Sequence, residues 1–375
     1  MSEPHQTPVP TATSRLAFLD WTRGLAVVIM LQGHVFHSFN TPQTRPQGPY
    51  MLSQLFGGIG PAVFLFLTGV TLSFLMDRRE RQGLPALDRW TAALRRSGYL
   101  FLLAFLFRVQ AWVFGYPGSP TAGLLKVDIL NCMGFAIGLF TLLAFLRTAQ
   151  RVKAGAVLGV AIAGLAPMVS AMRWSWLPQP VSAYFVPSFD NFAFFPWASF
   201  IAFGISAGSI VRLLKADQIQ RVMQWSALAG FGLVIGAQYF SNLPYTIYSN
   251  SEFWLNSPGL VFIKLGVVLL LAAGGYLWSE YGLRGNWSAV RQLGMTSLLV
   301  YWVHIELVYG RWFGYWKNNL TNVQCVLASV AVIGAMLGLS LLRTHWGAIA
   351  ARFKRPGRRE QESPARGVWS RAAGD

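Results

Sequence analysis

Long apolar runs separated by short polar and basic connections recur along the whole chain. Ten of them reach the length of about 20 mostly apolar residues that a helix needs to cross a bilayer core. They lie near 17–38, 58–76, 97–115, 127–146, 154–172, 192–211, 222–240, 258–278, 295–313 and 323–342. No internal repeat and no second, soluble domain interrupts the series. The pattern predicts an all-α polytopic membrane helix bundle of about ten transmembrane helices. It divides the chain into a polar N-terminal segment (1–16), a membrane domain (17–342) and a basic tail (343–375).

Composition agrees with that reading. Hydrophobic residues make up 54% of the 375 residues and charged residues only 12%, about half the charged share of a soluble domain. A water-soluble globule of this composition would expose apolar patches that soluble proteins rarely carry. The net charge of +17 first suggests nucleic acid, but its placement points to a bilayer. With the N-terminus inside, the N-terminal segment (Arg15), the inner connections and the tail together hold 23 basic residues. The outer connections hold 4: Arg45, Lys126, Arg173 and Lys317. Cytoplasmic loops are enriched in Lys and Arg, so both termini are expected on the cytoplasmic side, and no nucleic-acid partner is expected. No cleavable signal is visible, since the first 15 residues are polar and the first apolar run is long enough to span. Cys132 and Cys325 fall in apolar runs and form neither a metal-ligand spacing nor a disulfide framework.

Ionisable residues inside the spans are costly and mark functional or water-filled interiors. Here they are Arg23, His34, His37, Arg108, Asp128, Lys264, His304, Glu306 and Arg311. Arg23 lies near the cytoplasmic end of the first span, and His34 follows eleven residues later. On a helix that spacing is a rise of about 16 Å with only about 20° of net rotation, so the two share a face. His37 comes one turn further out. The other groups fall in the outer half or near the middle, which predicts a polar cavity drawing on His37, Arg108, Asp128, Lys264, His304 and Glu306, with Asp20 beside Arg23 as a further member. Arg108 is too deep to snorkel easily and needs an acid, with Asp128 and Glu306 both available. His304 and Glu306 are two apart and cannot share a helix face. Arg311, Asp128 and Lys264 also permit a plainer role as snorkelling or capping groups. The outer loops 173–190 and 241–257 are rich in Trp, Tyr and Pro. Such aromatics anchor a protein at the lipid–water interface and would also suit stacking on a sugar or covering a site.

The first span reads LDWTRGLAVVIMLQGHVFHSF. Arg23, ten residues and then His34 resemble the R-x10-H signature of membrane acyltransferases that O-acylate sugars and envelope polymers. Leu19-Asp20, Arg23-Gly24 and the apolar run after them resemble the heparan-alpha-glucosaminide N-acetyltransferase catalytic domain and its bacterial relatives. So do GGIGPAVFLFLTGVTLSFL (57–75), VDILNCMGFAIGL (127–139), FFPWASFIAFGISAG (194–208) and LGMTSLLVYWVHIELVYG (293–310). The resemblance implies a bundle of about ten helices in a bacterial inner membrane. It implies acetyl-CoA or another acyl-CoA as co-substrate, taken from the cytoplasmic side, and a sugar or envelope-glycan acceptor reached from the other side. One departure limits it. The heparan enzyme has asparagine at the position of His34, and its functional histidine falls at the position of Arg45. N-acetylation of a glucosamine is therefore not carried over.

Chemistry points the same way. A thioester supplies its own driving force, so neither a metal nor a nucleotide motif is required. An acceptor hydroxyl needs a general base that works near ambient pH, for which histidine is suited. His34 is the expected catalytic base and Arg23 the expected cation for the CoA end of the donor, with Asp20, three residues earlier, holding its rotamer. Direct transfer and a transient acyl-histidine both remain open. The loop arginines 78, 79, 81, 95 and 96 could add cations, although charge bias explains them without a ligand. The competing reading from another class is a proton-coupled secondary transporter built on the same buried His, Glu and Arg groups. A flippase-like scaffold without catalysis is a third.

Overall fold

The computed structural model describes residues 14–245, 247–282 and 286–353. The polar segment before residue 14, Arg284 and the basic tail beyond 353 lie outside the described residues. Among the described residues the chain forms thirteen α-helices and no strands. They are α1 (Ser14–Phe39), α2 (Gly48–Gly57), α3 (Gly60–Arg81), α4 (Ala86–Gly115), α5 (Ile129–Phe140), α6 (Thr148–Ala171), α7 (Gln179–Ser182), α8 (Phe194–Leu213), α9 (Ile219–Ser241), α10 (Pro258–Leu277), α11 (Ala289–Met295), α12 (Ser297–Tyr309) and α13 (Asn322–Phe353).

Seven helical stretches among the described residues are long and apolar enough to cross a membrane, and all seven coincide with expected spans. The remaining three expected spans, near 17–38, 222–240 and 295–313, are helical as α1, α9 and α12. The α12 region differs in detail. Thr296 breaks the run between α11 and α12, and Gly310 ends α12 after 13 residues. A short 3-10 turn, Arg311–Trp316, follows. Position 310 requires glycine in this conformation, because a Cβ there would collide with the Glu306 carbonyl and carboxylate. At the other end of the chain α13 runs on to Phe353, past the expected end of the membrane domain at 342.

α1 organises the bundle because each of its faces meets a different environment. Phe18, Leu19 and Ala26 join a large apolar cluster with α3, α5, α8 and α10. Val27, Leu31, Val35 and Phe39 join a second cluster with Leu293, Val300, Val308, Val332 and Met336 of α11–α13. The third face carries Arg23, Met30, His34 and His37 at offsets of 7, 11 and 14, the helical repeat of one stripe. Glycine sets how closely two of the crossings approach. A Cβ on Gly24 would strike the Val290 carbonyl, and one on Gly294 the Asp20 carbonyl, so α1 and α11 touch backbone to backbone. Gly69 and Gly204 do the same for α3 and α8. Small residues at such crossings are the usual route to close helix packing in lipid.

Arginines at the α3–α4 end of the bundle are tied down by two acids. Asp77 accepts from Arg212 Nε at 2.5 Å, Arg81 Nε at 2.9 Å and Thr148 Oγ1 at 2.9 Å. Glu80 pairs with Arg89 at 3.5 Å and with the fully buried Arg151. The network links α3, α4, α6 and α8 around Arg151.

Candidate active site

The polar stripe of α1 opens into a cavity of about 1200 Å³. Arg23 and Arg96, the latter from α4, line one end of it. Thr68 and Thr71 of α3 with Met30, Pro61 and Phe64 line the stretch beside them. His34 faces the cavity further along α1, and His37, Tyr309, Lys126, Asp190 and Lys317 line the far end. Arg23 and His34 thus line a single cavity.

Arg23 and Arg108 are each held by a specific acid. Arg23 Nη1 donates to Asp20 Oδ1 at 3.0 Å, one turn back on the same helix. Asp20 does not itself line the cavity; it orients the cation that does. Arg108 Nη2 lies 3.1 Å from Asp128 Oδ2. Asp128 also caps α5, accepting from Leu130 N at 2.9 Å and Asn131 N at 3.0 Å, which fixes the carboxylate opposite Arg108. Of the two acids available to Arg108, the fold therefore selects Asp128. Glu306 lines the cavity and makes no ion pair among the described residues.

Two histidines meet beside the cavity. His34 Nδ1 is 2.9 Å from His304 Nε2, and His304 Nδ1 is 2.8 Å from the Val300 carbonyl oxygen. His304 is fully buried and off the cavity wall. His34 keeps its Nε2 as the nitrogen not engaged by His304. Tyr309 stands between the two α1 histidines. Its ring is 5.4 Å from that of His34, and its hydroxyl is 3.1 Å from His37 Nδ1.

The family profile described as heparan-alpha-glucosaminide N-acetyltransferase, catalytic, matches residues 15–248, well over half of the chain. The chain belongs to this family. No match is found among curated proteins. The region matched in this heparan-alpha-glucosaminide N-acetyltransferase family member carries Arg23, His34, His37, Arg108 and Asp128. Lys264, His304, Glu306 and Tyr309 come from the part beyond it. Membership places the chain among membrane proteins with acetyltransferase-type activity.

Not every expected group of the family member reaches the cavity. Lys264 does not line it. Its Nζ sits 4.7 Å from the centre of the Trp197 ring, because α10 turns this residue toward α8, where the aromatic face holds the ammonium. His304 is a partner of His34 and not a lining group. Arg45, at the position of the heparan enzyme's histidine, donates to Asn318 Oδ1 at 2.6 Å and lies over Tyr50, outside the cavity. Conversely, Arg96, expected in a loop, belongs to α4 and does line the cavity, and Tyr309 joins the site as well. The only signal for Tyr309 was its place in the 293–310 block, five residues after His304. Phe189 and Asp190 from the aromatic 173–190 loop also reach the wall.

Proposed function

We propose that this chain is an integral membrane acyltransferase. It moves an acyl group, acetyl by family kinship, from cytoplasmic acyl-CoA to a hydroxyl or amine of an extracytoplasmic sugar or envelope glycan. The observation that carries the reading is the single cavity faced by Arg23 and His34. The Arg23 end is the end that the arginine bias assigns to the cytoplasm. There Arg23 and Arg96 offer guanidinium groups to the phosphates of CoA, the charge-assisted contact at which arginine excels. The rise of about 16 Å from Arg23 to His34 matches an extended pantetheine arm, so the thioester carbon arrives beside the imidazole.

The geometry supports the following reaction. The acceptor, entering past His37 and Tyr309, gives its proton to His34 Nε2 as its oxygen or nitrogen attacks the thioester carbon. The new C–O or C–N bond forms, the C–S bond breaks, and the proton passes from His34 to the departing thiolate to give free CoA. The Arg108–Asp128 pair, with Asp128 buried and Arg108 half-buried, shapes the acceptor side. A bacterial inner membrane is the setting the resemblance implies, with 17–342 as the catalytic domain.

The test is release of free CoA and transfer of labelled acyl groups by the purified full chain in nanodiscs, wild type against His34→Ala. Loss of both activities in the variant is expected. Equal turnover would remove His34 from the mechanism. Solute-coupled proton uptake with no CoA release would instead place the chain with the secondary transporters.

A further inference from the structure

The reaction above employs His34 and leaves a second histidine, fully buried directly behind it, without a task. A buried imidazole with both nitrogens committed is a specific arrangement, and its hydrogen bonds can be followed proton by proton. The Val300 carbonyl oxygen can only accept, so His304 Nδ1, 2.8 Å away, carries a hydrogen. A neutral imidazole has one N–H, so His304 Nε2 presents a lone pair. At 2.9 Å from it, His34 Nδ1 must supply the hydrogen. The ring geometry agrees: the planes are inclined by 11° with centroids 5.2 Å apart. That separation is too wide for face-to-face contact and suits two rings joined edge to edge by an in-plane N–H···N bond.

We propose that His304 is a positioning residue that holds His34 in its Nδ1–H tautomer and so aims the Nε2 lone pair at the acceptor. The inference rests on the reading of His34 as base. In the reaction His34 Nε2 takes the acceptor proton, and the resulting imidazolium keeps its Nδ1–H bond to His304, now charge-assisted and stronger. When the thiolate takes the proton from Nε2, the starting tautomer returns with both bonds to His304 and Val300 intact. His304 neither gains nor loses a proton. Residues 34 and 304 are 270 positions apart, so α1 and α12 must be correctly docked before the base is oriented.

The test is ¹⁵N NMR of histidine-labelled full chain in nanodiscs, where only five histidines contribute and the His34 signal is assigned by its loss in His34→Gln. A protonated Nδ1 and an unprotonated Nε2 on His34 are expected, and this pattern should be lost in His304→Leu. Acyl transfer supplies the second readout. His304→Leu should lower kcat by about 10- to 100-fold, the scale seen when the hydrogen-bond partner orienting a metal-bound histidine is lost, with KM for acyl-CoA unchanged. His304→Gln, whose amide oxygen can still accept from His34 Nδ1, should recover most of the rate. A His34 protonated at Nε2 in the wild type would overturn the proposal, as would full activity in His304→Leu. If the wild type transfers no acyl group, the base reading fails by itself, and the His34 tautomer still decides whether His304 orients it.

Discussion

Arg23 and His34 stand eleven residues apart on one face of α1 and line the same cavity. A cation and an imidazole on a single rigid helix have a fixed separation, so in the proposed reaction a donor held at its phosphates would also be placed at its thioester. Positioning of this kind is a large part of enzymatic rate enhancement, and it divides the expected effects of substitution between binding and chemistry.

His34→Gln should lower kcat for acyl transfer by about 10²- to 10⁴-fold, the range for loss of a general base, while acyl-CoA affinity stays within a few-fold of wild type. Stopped-flow release of CoA together with equilibrium binding of acyl-CoA would check both halves.

Arg23→Gln should act on the donor. Loss of a charge-assisted hydrogen bond is worth about 1.5–3 kcal/mol, so KM for acyl-CoA should rise by roughly 10- to 100-fold with a smaller change in kcat. A truncated acyl-pantetheine donor without the nucleotide phosphates should show little difference between wild type and variant. Arg96→Gln should shift the same constant in the same direction, since Arg96 lines the same end.

Glu80→Gln should destabilise the fold without any direct effect on the site. It leaves the fully buried Arg151 facing an uncharged amide; since Glu80 itself is half-buried, the cost should fall somewhat below the ~3–5 kcal/mol of a fully buried pair. Arg81→Gln removes a more exposed partner of Asp77, which keeps Arg212, and should cost under about 1 kcal/mol. Thermal unfolding in detergent would rank the two.

Gly24→Leu should prevent α1 and α11 from meeting, because the new side chain begins where the Val290 carbonyl lies. Gly232→Ala on α9, with open space around it, should be neutral or stabilising by up to about 1 kcal/mol. Yield and melting temperature of the two purified variants would show the contrast.

Much of this arrangement was readable before any coordinates. Hydrophobic run length located the helices, and the spacing of Arg23 and His34 placed both on one face of α1, because helical geometry alone determines that relation. The need of Arg108 for an acid was readable too, although the choice of Asp128 over Glu306 depends on how α4 meets the start of α5. Relations between distant helices were not accessible in this way. His304 registered only as one more ionisable group in a span, since nothing local shows that α12 docks it against His34. Lys264 registered identically, yet α10 turns it to the Trp197 ring. The inner arginines were explained by charge bias, and their attachment to Asp77 and Glu80 emerged only when α3, α4, α6 and α8 came together.

The most direct test of the shared cavity is a density map of the full chain with a non-hydrolysable thioether analogue of acetyl-CoA. The account predicts phosphate density beside Arg23 and Arg96, the pantetheine arm running along α1 past Met30, and the acyl carbon within reach of His34 Nε2. Analogue density outside the cavity, or lying in it with the acyl end away from His34, would contradict it.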